Sequence, residues 1–112
     1  MQAVFLHAFG ADRLTWAGTM PAVRGIDAAF PDLPGHGNSV ADLGDGSLGD
    51  MASRLMPRIA TGPPAWLVGH SLGGGLALKL AADAPNRLLG LVLLAPIGLG
   101  RKLDHVSVAT YP

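Results

Sequence analysis

Apolar residues fall in short runs separated by clusters of Gly, Pro and Asp. The first run, Ala3-Val4-Phe5-Leu6, ends at His7-Ala8-Phe9-Gly10, and its length and Val/Phe content predict a buried strand near 3–6. A second run from Gly25 to Phe30 predicts a strand near 26–31. It ends in Pro31-Asp32-Leu33-Pro34-Gly35-His36-Gly37, a loop dense in turn residues. Trp66-Leu67-Val68 marks a third strand near 65–69. The continuous run Leu89 to Ala95, bounded by Pro96, predicts a strand near 89–95 that is buried on both faces of a parallel sheet. Between the runs the period changes. Leu48, Met51, Leu55, Met56 and Ile59 share one helical face, which predicts a helix over 48–59 stopped by Thr61-Gly62-Pro63-Pro64. Leu76, Leu80 and Ala84 stand four apart in a helix over 72–84 ended by Pro85. Residues 12–23 have rough helical spacing interrupted by Pro21 and read as a short helix or turn. Val40 to Ser47 reads as exposed loop. Alternating strands and helices imply an α/β fold: a central parallel sheet of about four strands with helices on both faces.

A chain of 112 residues holds one domain at most. Hydrophobic residues at 49% against 14% charged are the reverse of a disordered composition. The formal net charge is zero, so no basic stripe is present for nucleic acid and no polybasic patch for an anionic membrane. The longest apolar run, Leu88 to Gly100, is 13 residues and contains Pro96, whereas a bilayer-spanning helix needs roughly 20. The N-terminus lacks the positive n-region of a signal peptide. These features predict a soluble, cytoplasmic protein. With no Cys there is neither a thiolate nucleophile nor a disulfide framework. The four His show no metal-ligand spacing, and neither a Gly-Lys-Ser/Thr phosphate loop nor G-x-G-x-x-G is present, so no cofactor and no metal are expected.

The candidate chemistry sits at Gly69-His70-Ser71-Leu72-Gly73, a Gly-x-Ser-x-Gly pattern between the third strand and the helix over 72–84. In that context the turn strains Ser71 and lifts its hydroxyl above the sheet edge. Gly69 and Gly73, lacking Cβ, let strand and helix approach closely. The N–H of Leu72, at the start of the helix, is placed to bind a developing oxyanion. The alternative is a glycine-rich structural turn or a phosphate cradle, to which Gly73-Gly74-Gly75 lends some weight. His7, His36 and His70 are expected to orient loops or point away from the chemistry, Asp32 to tie a loop, and Trp16 to be a packed anchor.

With these pieces in order, the chain resembles the α/β-hydrolase superfamily. The resemblance rests on Leu6-His7-Ala8-Phe9-Gly10, Asp32 to Ser39, Gly69-His70-Ser71-Leu72-Gly73-Gly74 and Leu91 to Pro96. It spans residues 3–100 of a partial α/β-hydrolase domain over 1–112, with a diverging tail over 101–112. The elbow and Ala95 to Gly100 look most like hydrolase domains related to the acetoin dehydrogenase acetyltransferase component. The resemblance implies that Ser71 is the nucleophile and that the backbone N–H groups of Leu72 and Phe9 form the oxyanion hole. Ala8 stands where the family usually has Gly, which puts the Phe9 position in question. The resemblance also implies a strand order of second, first, third, fourth, with both outer strands as unpaired edges that favour self-association or a completing partner.

A serine nucleophile needs a His base and an acid that orients it, and in the family both follow Ser. Only His105 follows Ser71 here, too soon after the fourth strand to have crossed two further βαβ units of about 30 residues each. The acid and His are therefore expected from outside this chain, and the 112 residues alone are expected to be a very poor catalyst. The implied function is hydrolysis of small-molecule acyl or ester substrates. The alternatives are a carbon–carbon bond hydrolase or lactonase of the same fold, or a catalytically dead half-domain. Members with an Asp nucleophile are disfavoured by Ser at position 71.

Overall fold

The computed structural model describes residues 2–96. Four strands, β1 (Gln2–Leu6), β2 (Asp27–Ala29), β3 (Ala65–His70) and β4 (Leu88–Leu94), form one parallel sheet in the order β2-β1-β3-β4. This is the order the resemblance implied, with β2 and β4 at the edges. Three α-helices accompany it: α1 (Leu48–Leu55), α2 (Pro57–Ala60) and α3 (Leu72–Asp83).

The handedness of parallel crossovers explains which face each connection occupies. The step from β1 to β2 goes one way across the sheet, while the steps from β2 to β3 and from β3 to β4 go the other. Right-handed connections must then lie on opposite faces. Accordingly α1, α2 and α3 bury Met51, Ala52, Leu55, Ile59, Leu76, Ala77 and Leu80 against Val4, Leu6, Ala65 and Leu67. The opposite face carries Ala3, Phe5 and Trp16 with Ile26, Phe30, Trp66 and Val68. Helical structure does cover both faces, but unequally. Among the described residues the second face receives two single turns of 3-10 helix, Arg13–Trp16 and Met20–Val23, which is how the ambiguous stretch 12–23 resolves around Pro21.

Three expectations need correction. The single helix over 48–59 is two: α1, capped by Ser47 Oγ accepting from the Asp50 N–H at 3.1 Å, closes at Met56, and Pro57 opens α2. Proline lacks the N–H needed to continue a helix but suits a first turn. The fourth strand is not buried on both faces. Leu91 and Leu93 pack towards α3 and the main core, whereas Leu89, Val92 and Leu94 are 52%, 43% and 46% exposed. Among the described residues β4 is an edge strand with one neighbour, and no α-helix covers its second face. There Ala3, Ile26, Trp66, Val68 and Val92 line an open apolar hollow of about 300 Å³. β2 is also shorter than the expected 26–31, since Pro31 cannot donate to the ladder.

Candidate active site

A sheet whose connections reverse direction leaves a crevice at the carboxyl ends of the strands where the reversal occurs. Here that point lies between β1 and β3. The segments it brings together are the loop after β1, His7 to Gly10, and the turn between β3 and α3 at Ser71.

Ser71 adopts φ 54° and ψ −112°, a conformation L-residues avoid at a cost of order 1–3 kcal/mol. Its backbone is held on both sides: the Ser71 N–H donates to the Leu94 carbonyl at 3.0 Å, and the Ser71 carbonyl accepts the Gly75 N–H at 3.1 Å. The glycines around it explain how the chain reverses so sharply. A Cβ on Gly69 would lie 2.4 Å from the Gly73 carbonyl oxygen, and a Cβ on Gly73 would lie 2.1 Å from that of Leu6. A Cβ on Gly74 would lie 2.6 Å from Pro96 Cβ. Strand, helix and the end of β1 are thus in backbone contact, and only hydrogen fits between them. Leu72 is the first residue of α3, whose leading N–H groups have no carbonyl one turn back to bond.

Phe9 lies in the turn after β1, 77% exposed, with its ring edge-on to His36 at 5.5 Å. Polar side chains hold this loop. His7 is fully buried, and its Nε2 accepts the Leu33 N–H at 2.9 Å while its Nδ1 faces the Ala8 carbonyl at 2.8 Å. His36 mirrors it: Nε2 accepts the Gly10 N–H at 2.9 Å and Nδ1 faces the Pro34 carbonyl at 3.1 Å. A ring nitrogen facing an N–H must be unprotonated, so both rings are neutral with the proton on Nδ1. Burial holds the His7 pKa below that of an ordinary imidazole, with His36 acting the same way and the Ala8 carbonyl opposing. Asp32 is the third tie. Its carboxylate accepts from the Arg13 N–H and guanidinium, both at 2.7 Å, and from the Asn38 N–H at 2.8 Å. Burial alone would raise its pKa, but the Asn38 and Arg13 donors outweigh it and hold the carboxyl below the usual range. Gly37, at φ 50°, is needed because a Cβ there would lie 2.5 Å from that carboxylate.

His7, His36 and Asp32 thus serve as loop ties, as expected, and Trp16 is a buried anchor edge-on to Phe5 at 5.2 Å. The support of the elbow by Leu94 to Pro96 had no assigned role in the sequence, though Ala-Pro directly after an apolar strand is a signal for it. His105 lies outside the described residues.

Comparison with known proteins decides the family. A sequence model of the alpha/beta hydrolase fold matches residues 4–109. The chain belongs to the α/β-hydrolase family. It is 40% identical over 101 residues to the dihydrolipoyllysine-residue acetyltransferase component of the acetoin cleaving system of Cupriavidus necator, covering 87% of this chain and 27% of that protein. It is 37% identical over 92 residues to 2-succinyl-6-hydroxy-2,4-cyclohexadiene-1-carboxylate synthase of Escherichia coli O157:H7, covering 80% of this chain and 36% of that one. Among solved structures, tomato methylketone synthase I superposes with a TM-score of 0.77 at 26% identity, over 97% of this chain and 45% of that one. This α/β-hydrolase chain therefore spans about a third of the length of the curated relatives it matches. No helix among its described residues is long and apolar enough to cross a membrane.

Proposed function

We propose that this chain carries the nucleophile and oxyanion hole of a serine hydrolase acting on acyl or ester carbonyls of small molecules. The observation that carries this reading is the backbone of Ser71, a non-glycine residue at φ 54° between a strand and a helix, with three glycines in contact around it. A purely structural turn would be served better by glycine, which takes that conformation without strain.

In this reading Ser71 Oγ attacks the carbonyl carbon and gives its proton to a general base. The carbonyl oxygen, now negative, accepts from the N–H groups of Leu72 and Phe9. Collapse expels the alcohol and leaves an acyl-serine, which water hydrolyses. This reading draws the base and the acid that orients it from residues outside the described 2–96. The similarity to the Escherichia coli synthase favours a second reading, in which the same elbow serves carbon–carbon bond or lactone chemistry.

A fluorophosphonate probe followed by peptide mapping tests the nucleophile. Slow labelling confined to Ser71, and lost in Ser71→Ala, is expected. Labelling that persists in Ser71→Ala assigns the reactivity elsewhere and refutes this role.

A further inference from the structure

Each of the two histidines donates Nδ1–H to a carbonyl of its own loop and accepts at Nε2 an N–H from the other loop. The rings meet edge to face at 5.3 Å. Two of the four bonds bracket one residue, Phe9. His7 bonds the oxygen of the Ala8–Phe9 peptide, which also accepts from the Ala11 N–H at 3.2 Å. His36 bonds the N–H of the Phe9–Gly10 peptide. In a trans peptide the N–H points opposite to the C=O, so fixing the Ala8 oxygen aims the Phe9 N–H the other way. Fixing the Gly10 N–H prevents the next peptide from turning it. The remaining bonds, to Leu33 and Pro34, anchor both rings in the loop after β2.

We propose that His7 and His36 form a reciprocal staple whose task is to aim the Phe9 N–H, making both of them positioning residues for the oxyanion hole. This rests on the hydrolase reading above. It assigns the loop after β2 a part in the chemistry although none of its side chains need touch substrate. An oxyanion donor acts only within about 3 Å of where the charge develops, so a loop free to rotate loses the contribution of that N–H.

The experiment divides the two functions of His36. Gln reaches far enough to present an acceptor where Nε2 stands, whereas Asn is a bond shorter and retains only the Nδ1 position. Wild type, His36→Gln, His36→Asn and Ser71→Ala are compared in p-nitrophenyl acetate hydrolysis, and wild type is examined by NMR for coupling across the Gly10 N–H···Nε2 bond. The oxyanion hole and substrate binding together sustain a residual rate about 10³ to 10⁴ above water, so the effect is readable in a poor catalyst. The coupling should be present. His36→Asn should lose about 10²-fold in kcat with KM unchanged, and His36→Gln should recover to within about 3-fold. An unchanged kcat in His36→Asn, equal losses in both variants, a loss confined to KM or an absent coupling would each overturn the staple's role. Fluorophosphonate labelling that persists in Ser71→Ala instead overturns the hydrolase reading, and is recognised because the coupling would persist.

Discussion

The two segments that face each other across the crevice are held by opposite means. The elbow after β3 is fixed by what its residues lack: at Gly69 and Gly73 the would-be Cβ sites are already occupied by backbone atoms of neighbouring elements. The loop after β1 is fixed by what its partners add: two neutral imidazoles and a carboxylate, each bonded to backbone groups of another segment. The first kind of restraint is steric and indifferent to pH. The second depends on protonation state. The elbow is therefore the robust half of the candidate site and the loop after β1 the half that conditions can loosen.

Breaking the steric half should have the largest effect. Gly73→Ala places a methyl 2.1 Å from the Leu6 carbonyl oxygen, a backbone atom of the central strand β1 that cannot yield alone. A loss of about 3 kcal/mol or more in urea unfolding is expected. A loss under about 1 kcal/mol would show that the elbow has slack. Breaking the polar half comes next. Asp32→Ala leaves the Arg13 and Asn38 N–H groups without their acceptor, and a loss of about 2–3 kcal/mol is expected by the same measurement.

Acid should separate the halves without mutation. The folded-state pKa of His7 lies below its unfolded value, so the folded chain binds fewer protons there. Its contribution is complete above about pH 6.5 and is lost as pH falls through the lowered folded pKa. Asp32, also lowered, contributes fully above about pH 4 and is lost below it. Urea midpoints should thus decline in two stages on acidification, and His7→Gln should remove the upper one. A flat profile between pH 7 and 5 would contradict the assignment. The smallest effect is a gain. Ser71→Gly relieves the strained φ and should stabilise the fold by about 1 kcal/mol while abolishing reactivity with fluorophosphonate.

Periodicity and punctuation made the frame legible. Each of the four strands begins and ends within two residues of expectation, and the elbow was readable because Gly-x-Ser-x-Gly fell between a strand and a helix. The exposure of Leu89, Val92 and Leu94 was not, because an apolar run reports a preference for burial and not whether something covers it. The staple was not legible either. His7 to Leu33 and Gly10 to His36 each span 26 positions, and nothing local in a Gly-rich loop announces which N–H its histidine will accept. The split at Pro57 was visible in principle, but a helical apolar face continuing to Ile59 concealed it.

The central claim is that Ser71 attacks while Leu72 and Phe9 receive the oxyanion. A crystal structure of the chain carrying a phosphonyl group from a fluorophosphonate tests it most directly, since the phosphonyl oxygen stands where the oxyanion would. The account predicts phosphorus bonded to Ser71 Oγ and that oxygen within about 3 Å of both backbone nitrogens. An adduct on another residue, or one on Ser71 whose oxygen points to solvent away from Leu72 and Phe9, would contradict it.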